Sequence, residues 1–467
     1  MHFGTAELKD HRRTRRLVQT ADALVRHPGG SLPEKLKAPQ KLEALYRLMR
    51  CEHVTHESVL KSHRERTWEQ ISAGTGPVLV IHDTTELDFT THESLRNDLG
   101  EIGNGSRRGY LCHNSLAVDP ESGEVLGLAN QVLHHRTKVG PHEKQTQRRK
   151  RASRESRLWL QGTETLPADE RLVDVCDRGA DTFEFLEHED HSGRRFVIRS
   201  CYSRSIRTAH DEKAPRGRLH EFARALPAIS EYTIRVQPKW VERKPKRKGT
   251  KKRVRRRGRE ARLLVAAAPV LVRAPASKNG EHGNQPLPLW VVRVWEPDPP
   301  AGEEGLEWFL LTNRPVETAE EAREVVSWYT RRWIVEEYHK AMKTGCGIEN
   351  PQFTREQRLQ PMIALLSVVA LTLLNLRELS RHPEAKTQPA TDVVSEDYVK
   401  LLSAWRHKRI KKDWTIHEFF YALARLGGHQ NRKHDHRPGW LVLWRGWIQL
   451  QAMLDGAEAI TELERCA

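Results

Sequence analysis

The sequence predicts an α/β protein in which a core of buried strands is flanked by helical segments and interrupted by a β-rich insertion. Short apolar runs at residues 78–81 and 172–176 lie between helical patterns, which is typical of an α/β core. Residues 201–315 carry strand-like runs separated by loops rich in proline, glycine and basic residues, and these indicate the insertion. Helical spacing of apolar residues dominates both ends of the chain.

The composition favours a soluble intracellular protein with an anionic partner. The chain has 467 residues, 37% of them apolar, and 78 Lys+Arg against 62 Asp+Glu give a formal net charge of +16. Residues 1–16 lack the apolar segment of a signal peptide, and polar side chains interrupt the longest apolar stretch, residues 362–376, so we expect a buried helix there and no membrane span. The six cysteines contain no C-x-x-C, which argues against disulfides and structural zinc, and the 24 histidines are predicted mostly at the surface.

The first half of the chain is predicted to alternate helices and strands. Helical spacing predicts helices over residues 8–27, about 39–50, from about 57, 153–161 and 182–189. Short β-type runs predict strands over residues 78–81, 112–118, 124–132, 172–176 and 195–200. Residues 120–123 form the turn between the second and third of these strands.

The second half begins with the insertion and ends in helices. The insertion is predicted to hold strands at residues 232–236, 263–268, 289–295 and 308–312. Thr318 and Glu321 form a capping box, which begins a long helix over residues 319–343 that Gly345 ends. The remaining segments are an apolar helix at 360–379, a linker at 381–392 and a tryptophan-rich helical region at 396–467.

Two stretches concentrate positive charge. Residues 239–259 hold thirteen Lys/Arg and one acid, Glu242, so we expect this segment to be disordered alone and ordered by phosphate; the alternative is a solvated loop. Arg12 and Arg13 belong to an arginine cluster at the start of the first helix, where a DNA contact and an ordinary basic helix end are equally compatible with the spacing.

One face of the long helix combines a carboxylate with cations. Tyr329, Arg332, Glu336 and Lys343 fall within about 60° of one another on an ideal helix, and Lys340 lies beside them. Such a stripe suits an anionic substrate held beside a metal ligand. The alternative is a solvated face on which Arg332 and Glu336 form an i,i+4 ion pair.

Two aspartates follow apolar strands and can converge with the helical glutamate. Asp83 ends the strand at 78–81, and Asp177 ends the strand at 172–176. Three converging carboxylates can hold two divalent metals for in-line phosphoryl transfer, and their hard oxygens favour Mg²⁺ or Mn²⁺ over zinc. Neighbouring aspartates compete for both roles: Asp88, Asp174 and Asp181.

The four-residue spacing resembles a known family. Tyr329-x2-Arg332-x3-Glu336-x6-Lys343 is similar to the Y-R-E-K signature of the insertion-sequence-four family of DDE transposases. The resemblance extends to RRTRRLV near the N-terminus, HDTT around Asp83, DRGAD, RFVIRS, WFLLTNRPVE and LWRGWIQLQAMLDG, and so covers nearly the whole chain.

The resemblance implies an RNase H-like catalytic core at residues 63–379 with the β-rich insertion. It also implies an N-terminal helical DNA-binding domain at 1–62 and a C-terminal helical dimerisation domain at 380–467. Its catalytic, metal-holding triad is Asp83, Asp177 and Glu336, with two Mg²⁺ ions per active site, Mn²⁺ being possible. The implied DNA-binding residues are Tyr329, Arg332, Lys340, Lys343, Trp308, Arg199, Arg12 and Arg13.

The implied function is cut-and-paste transposition in the bacterial cytoplasm, in association with the nucleoid and not with a membrane. The implied partners are double-stranded transposon-end DNA, target DNA and a second copy of the chain in the DNA complex. Two alternatives stay open: an RNase H-fold nuclease without strand transfer, and a non-catalytic DNA-binding protein derived from a transposase. The C-terminal stripe also has two interpretations, a dimer surface or packing within its own domain; its members are Trp440, Trp444, Trp447, Leu450 and Met453.

Overall fold

The structure is a computed structural model and shows a mixed α/β protein. It describes residues 3–27, 29–136, 140, 142–144, 147, 151, 153–236, 239–243, 252–256, 258–276, 282–432, 435 and 437–466. The helices are α1 His11–Arg26, α2 Leu32–Leu36, α3 Pro39–Met49, α4 His56–Ala73, α5 Leu158–Thr163, α6 Phe183–His191, α7 Leu219–Ala225, α8 Ala319–Arg331, α9 Trp333–Lys340, α10 Glu356–Leu379, α11 Glu396–His407, α12 Ile416–Leu426 and α13 Trp440–Cys466.

The strands cluster in the middle of the chain, as the sequence predicts. They are β1 Val78–Asp88, β2 Gly100–Ile102, β3 Arg107–Val118, β4 Val125–His134, β5 Leu172–Cys176, β6 Arg195–Arg199, β7 Ser205–Arg207, β8 Arg216–Arg218, β9 Ser230–Val236, β10 Lys239–Arg243, β11 Lys252–Arg256, β12 Arg259–Val272, β13 Leu287–Trp295 and β14 Glu307–Thr312. Most of the predicted strands are confirmed, and the residues 201–315 are β-rich.

The chain divides into two compact units. Unit one comprises Met1–Pro141, Gln161–Leu166 and Trp333–Ala467, and unit two comprises His142–Leu160 and Pro167–Arg332. In unit one, β3 pairs antiparallel with β1 along one edge and with β2 and β4 along the other. In unit two, β5 pairs in parallel with β6, and β14, β13, β12, β7 and β8 follow in antiparallel order, with β9 on β12. The strands of the insertion therefore continue the sheet that begins with β5 and β6.

The core of unit one is built around α10. This helix packs against α1, α4, α13 and β4. It is long and apolar enough by length and composition to cross a membrane, but 82% of its apolar 18-residue window is buried inside the protein. The predicted buried helix is thus confirmed, and it starts earlier, at Glu356.

The strand that carries Asp83, β1, is longer than predicted. β1 continues through Asp83 to Asp88, because β3 pairs with it as far as Gly109. A Cβ on Gly109 would lie 1.8 Å from the carbonyl oxygen of Leu87, so this end of the ladder requires glycine. Asp83 is therefore a mid-strand residue, and the prediction that it ends its strand is wrong.

The predicted long helix is interrupted. α8 ends at Arg331, residue 332 is a turn, α9 covers Trp333–Lys340, and a single π-helical turn covers Ala341–Gly345. A uniform 100° step per residue therefore does not hold from Tyr329 to Lys343. Gly345 does end the segment, as predicted.

The backbone of the basic segment is ordered in part. Lys239–Arg243 pairs with Lys252–Arg256 as an antiparallel hairpin, so the expectation of disorder is wrong for these residues. Backbone hydrogen bonds between the two strands give this part of the chain a structure despite its charge. Residues 244–251, 257 and the side chains of the hairpin lie outside the described residues.

The C-terminal tryptophan stripe packs within its own unit. Trp440, Trp444, Trp447 and Leu450 are all buried, so this surface is core and is not available to a second copy. α12 and α13 approach so closely that a Cβ on Gly446 would lie 2.0 Å from the carbonyl oxygen of Leu423. The linker prediction at 381–392 holds only in part, since two short 3₁₀ turns occur there.

Candidate active site

Asp83 projects from the middle of β1 and lies opposite Asn114 of β3. It is half-buried, and the backbone N–H of Thr84 donates to its Oδ1 at 2.8 Å. The competing residue Asp88 is engaged elsewhere, because its Oδ2 accepts from Arg107 at 3.1 Å and its Oδ1 accepts from Thr90. The structure therefore favours Asp83 as the functional carboxylate of this strand.

Glu336 projects from α9, whose position is fixed by buried neighbours. Val335 and Tyr338 are fully buried, and the Tyr338 hydroxyl donates to the carbonyl oxygen of Ser367 on α10 at 3.0 Å. The next residue, Glu337, is an ion-pair partner of Arg377 at 2.8 Å. The adjacent carboxylates thus have different surroundings, and Glu336 is half-buried.

Asp83 and Glu336 meet in unit one. Among the described residues, one group of three has metal-ligating atoms within 4.8 Å of one another: Asp83, Glu336 and His339. Two carboxylates at this separation repel each other unless a cation lies between them. Their oxygens are the donors that Mg²⁺ and Mn²⁺ take in proteins, so the residues present fit a divalent cation.

His339 is the member of this group that sequence reasoning missed. Histidines are predicted mostly at the surface, yet His339 is 7% exposed, and His63, His82 and His113 are also buried. The available signal is its spacing of three residues from Glu336, which places both side chains on the same side of a helix.

Asp177 follows β5 directly, as predicted, and its surroundings belong to unit two. Its Oδ1 accepts from the backbone N–H of Gly179 at 2.8 Å, and so it caps a short 3₁₀ turn. A Cβ on Gly179 would lie 2.4 Å from the ring of Trp159, so the turn packs directly on that tryptophan.

The two aspartates that compete with Asp177 are structural. Asp174 is fully buried and accepts from Nε of Arg194 at 2.6 Å. Asp181 is also fully buried; its Oδ1 accepts from Arg204 at 2.7 Å and its Oδ2 accepts from the backbone N–H of Cys201 at 2.7 Å. These arginine pairs make both residues parts of the local fold.

Unit two also gathers several of the predicted DNA-binding residues. The rings of Trp308 and Tyr329 are 5.8 Å apart. Burial raises the pKa of Tyr329, whereas the positive charges of Arg199 and Arg332 lower it and the nearby Asp177 raises it further. Trp308 is half-buried, in contrast to the four buried residues that follow it in β14. A tyrosine, a tryptophan, two arginines and an aspartate are thus neighbours here.

The two lysines that are predicted to bind DNA lie in unit one. Lys340 is exposed, and its Nζ is 5.4 Å from the ring centre of Trp333, which is itself 56% exposed. Lys343 is half-buried, and its Nζ is 3.4 Å from a carboxylate oxygen of Glu349. Both ammonium groups are therefore on or near the surface of the segment that α9 and the π-helical turn form.

The N-terminal arginines differ in their exposure. Arg12 is exposed, whereas Arg13 is half-buried and donates to the carbonyl oxygen of Leu8 at 3.0 Å. A groove farther along α1 is basic: Arg16, Arg26, Lys37 and Lys41 line it with at least part of each side chain exposed, and Asp22 is its acidic lining residue. This part of unit one presents a positive surface.

Two family models match this chain. Residues 1–54 match the model described as transposase DNA-binding, and they include the arginines of α1. Residues 74–373 match the model described as transposase DDE domain, and they include Asp83, Asp177 and Glu336. The second match covers well over half of the chain, and a DDE domain has an RNase H-like core and uses divalent metal.

Proposed function

The chain belongs to the DDE transposase family, and we propose that it is an active cut-and-paste transposase of the insertion-sequence-four type. It would nick the transposon end, form a hairpin with the freed 3′-OH and then transfer the end to a target strand. The observation that carries this proposal is that a carboxylate oxygen of Asp83 and one of Glu336 lie within 4.8 Å of each other, inside the segment that matches the DDE domain. The Y-R-E-K spacing supports the finer assignment.

The three acidic side chains are proposed to hold the metal. Asp83, Asp177 and Glu336 supply carboxylate oxygens, with Mg²⁺ as the proposed ion, Mn²⁺ as its substitute and two ions per site. Bound divalent cations supply charge stabilisation for the attacking and leaving oxygens of a phosphoryl transfer. The chain contributes rigid supports, since β1 and α9 are anchored by buried residues.

The cationic and aromatic residues are proposed to hold the DNA strand. Arg199, Arg332 and Tyr329 would bind phosphates near the cleaved end, and Trp308 would stack on an unpaired base. Lys340 and Lys343 would bind further phosphates of the same end. Arg12 and Arg13 would contact the end DNA, and the basic groove of α1 supports this role.

A second copy is proposed to join in the DNA complex, through the end of α13. Ile460 is 59% exposed and Leu463 is 70% exposed, and they lie three residues apart on one side of this helix. The resulting dimer would pair two transposon ends in the cytoplasm and bind target DNA in association with the nucleoid.

The test is cleavage of end DNA, obtained from the inverted repeats that flank the coding sequence, by the full-length protein with Mg²⁺. Asp83→Asn, Asp177→Asn and Glu336→Gln keep side-chain size but remove a ligand charge. Losing several kcal/mol of charge stabilisation should slow cleavage by about 10³-fold, while end binding persists.

The matched controls are Asp88→Asn on β1 and Glu337→Gln on α9, which should cleave at close to the parental rate. Parental cleavage by any one of the triad variants would remove that residue from the site. Nicking without strand transfer would favour the nuclease, and binding of ends without cleavage would favour the non-catalytic protein.

A further inference from the structure

A buried histidine shares the carboxylate site. His339 follows Glu336 by one helical turn, and one of its ring nitrogens belongs to the group of three donors that lie within 4.8 Å of one another. Its side chain is 7% exposed. An imidazole placed this way has lost most of its water and faces two acids, so its role is tied to that site.

A series of hydrogen bonds between buried amide side chains, called the amide chain below, orients the imidazole. Nε2 of His339 is 3.1 Å from Nδ2 of Asn114, and Oδ1 of Asn114 accepts from Nε2 of Gln131 at 2.7 Å. Gln131 also donates to Oγ of Ser367 at 3.0 Å, and its Oε1 is 2.9 Å from Nε2 of His56. This amide chain runs through β3 and β4 to α4 and α10, all of them elements of unit one. Hydrogen bonds of this kind orient the histidines that bind metals.

The amide chain accommodates either tautomer of the imidazole. A 180° turn of the Asn114 and Gln131 amides exchanges their donors and acceptors. It gives up the hydrogen bond from Nδ2 of Asn114 to the carbonyl oxygen of Cys112, and the Ser367 hydroxyl then donates to Gln131 in place of the carbonyl oxygen of Ile363. With the carbonyl oxygen of Asn114 facing Nε2, the proton of His339 stays on Nε2 and Nδ1 carries the lone pair that would coordinate a metal.

We propose that His339 is a further metal-holding residue, which acts beside Asp83 and Glu336, and that Asn114 is a positioning residue that orients its ring. This inference rests on the proposed function, because it uses the same carboxylate site. An imidazole nitrogen added to the carboxylate oxygens makes a softer donor set than carboxylates alone. The site therefore favours Mn²⁺ over Mg²⁺ more than an all-oxygen site would.

The test is pulsed electron paramagnetic resonance of Mn²⁺ bound to the full-length protein in the absence of DNA. A directly bound imidazole produces ¹⁴N modulation of the electron spin echo, and ¹⁵N-histidine labelling changes it. We expect this modulation in the parental protein and its loss in His339→Ala. His53→Gln, which alters an exposed histidine of the same unit, should keep it.

Asn114→Ala tests the positioning role. It should weaken Mn²⁺ binding by about 10- to 100-fold and broaden the nitrogen signal, because the ring loses its outer partner. His339→Asn replaces nitrogen by an amide oxygen and should shift the preference towards Mg²⁺. Unchanged Mn²⁺ affinity and an unchanged spectrum in Asn114→Ala would remove that residue from the site.

The labelled parental protein decides the main question even if a variant fails to fold. Tight Mn²⁺ binding without ¹⁴N modulation, or modulation that survives in His339→Ala, would overturn the inference and leave the proposed function intact. Mn²⁺ binding that is unchanged in both Asp83→Asn and Glu336→Gln would instead refute the carboxylate site on which the proposed function rests.

Discussion

Replacing Trp308 by alanine should separate hairpin formation from the first nick. Trp308 lies on β14 opposite Val294, and its ring is 5.8 Å from that of Tyr329. Part of its indole is exposed, whereas the next residue, Phe309, is 5% exposed. An indole with a solvent-facing surface beside a tyrosine and two arginines is suited to stack on a base that leaves the duplex.

The size of the effect follows from the stacking energy. Stacking of a base on an aromatic ring contributes about 1–3 kcal/mol, and tenfold in rate corresponds to about 1.36 kcal/mol. Trp308→Ala should therefore slow hairpin formation by about 5- to 150-fold. A fully buried tryptophan would cost about 3–5 kcal/mol of stability on truncation, so the half-buried Trp308 should cost less.

The assay is single-turnover cleavage of labelled end DNA, with nicked and hairpin products resolved on a denaturing gel. Nicked ends should accumulate in Trp308→Ala, and Trp308→Phe should restore most of the hairpin. Trp295→Ala, a half-buried tryptophan on the neighbouring strand, controls for lost packing and should form hairpins normally. Equal loss of nicking and hairpin formation, or a large fall in Tm, would show that Trp308 is only a core residue.

Three further predictions concern the rest of the chain. Gly446→Ala should destabilise the protein by about 1–3 kcal/mol in urea unfolding, because its Cβ would clash with the neighbouring helix, whereas Gly456→Ala, which meets nothing within 4 Å, should be neutral or stabilising. Ile460→Glu should abolish paired-end complexes in gel-shift assays while single-end binding persists. Thr461→Glu, on another side of the same helix, should keep both complexes. If Ile460→Glu also keeps both complexes, the proposed dimer surface is contradicted. Neutralising five cations of residues 239–259 should reduce the salt slope of log Kd by about 4.5 on end and random DNA alike, and an unchanged slope would show that this segment is solvated and does not bind phosphate.

Local patterns in the sequence are sufficient for most of the elements. The strands β5, β6 and β13 and the helix α3 begin and end near their predicted residues, and α4 begins near its predicted start, because each has a clear apolar period and a turn or cap that marks its limits. α2 is missed, since a helix of five residues, with Pro33 as its second residue, is too short to show a period.

The sequence-based predictions are wrong where contacts with a segment distant in the chain determine the structure. β1 extends through polar residues because β3 supplies hydrogen-bond partners as far as Asp88. The basic hairpin is ordered because its two halves pair. The tryptophans of α13 are core because other helices of unit one cover them, and no spacing along the helix distinguishes this from a dimer surface.

The sequence by itself identifies the DDE transposase family, which the two family models confirm, because the motifs that carry the resemblance are local strings of residues. Only the tertiary structure excludes the competing aspartates, since the arginines that pair with Asp174 and Asp181 are twenty or more residues away in the chain. Only the tertiary structure places His339 beside Asp83, because the packing of α9 on β1 brings their donor groups together. A local sequence pattern does not predict the distance between two separate elements.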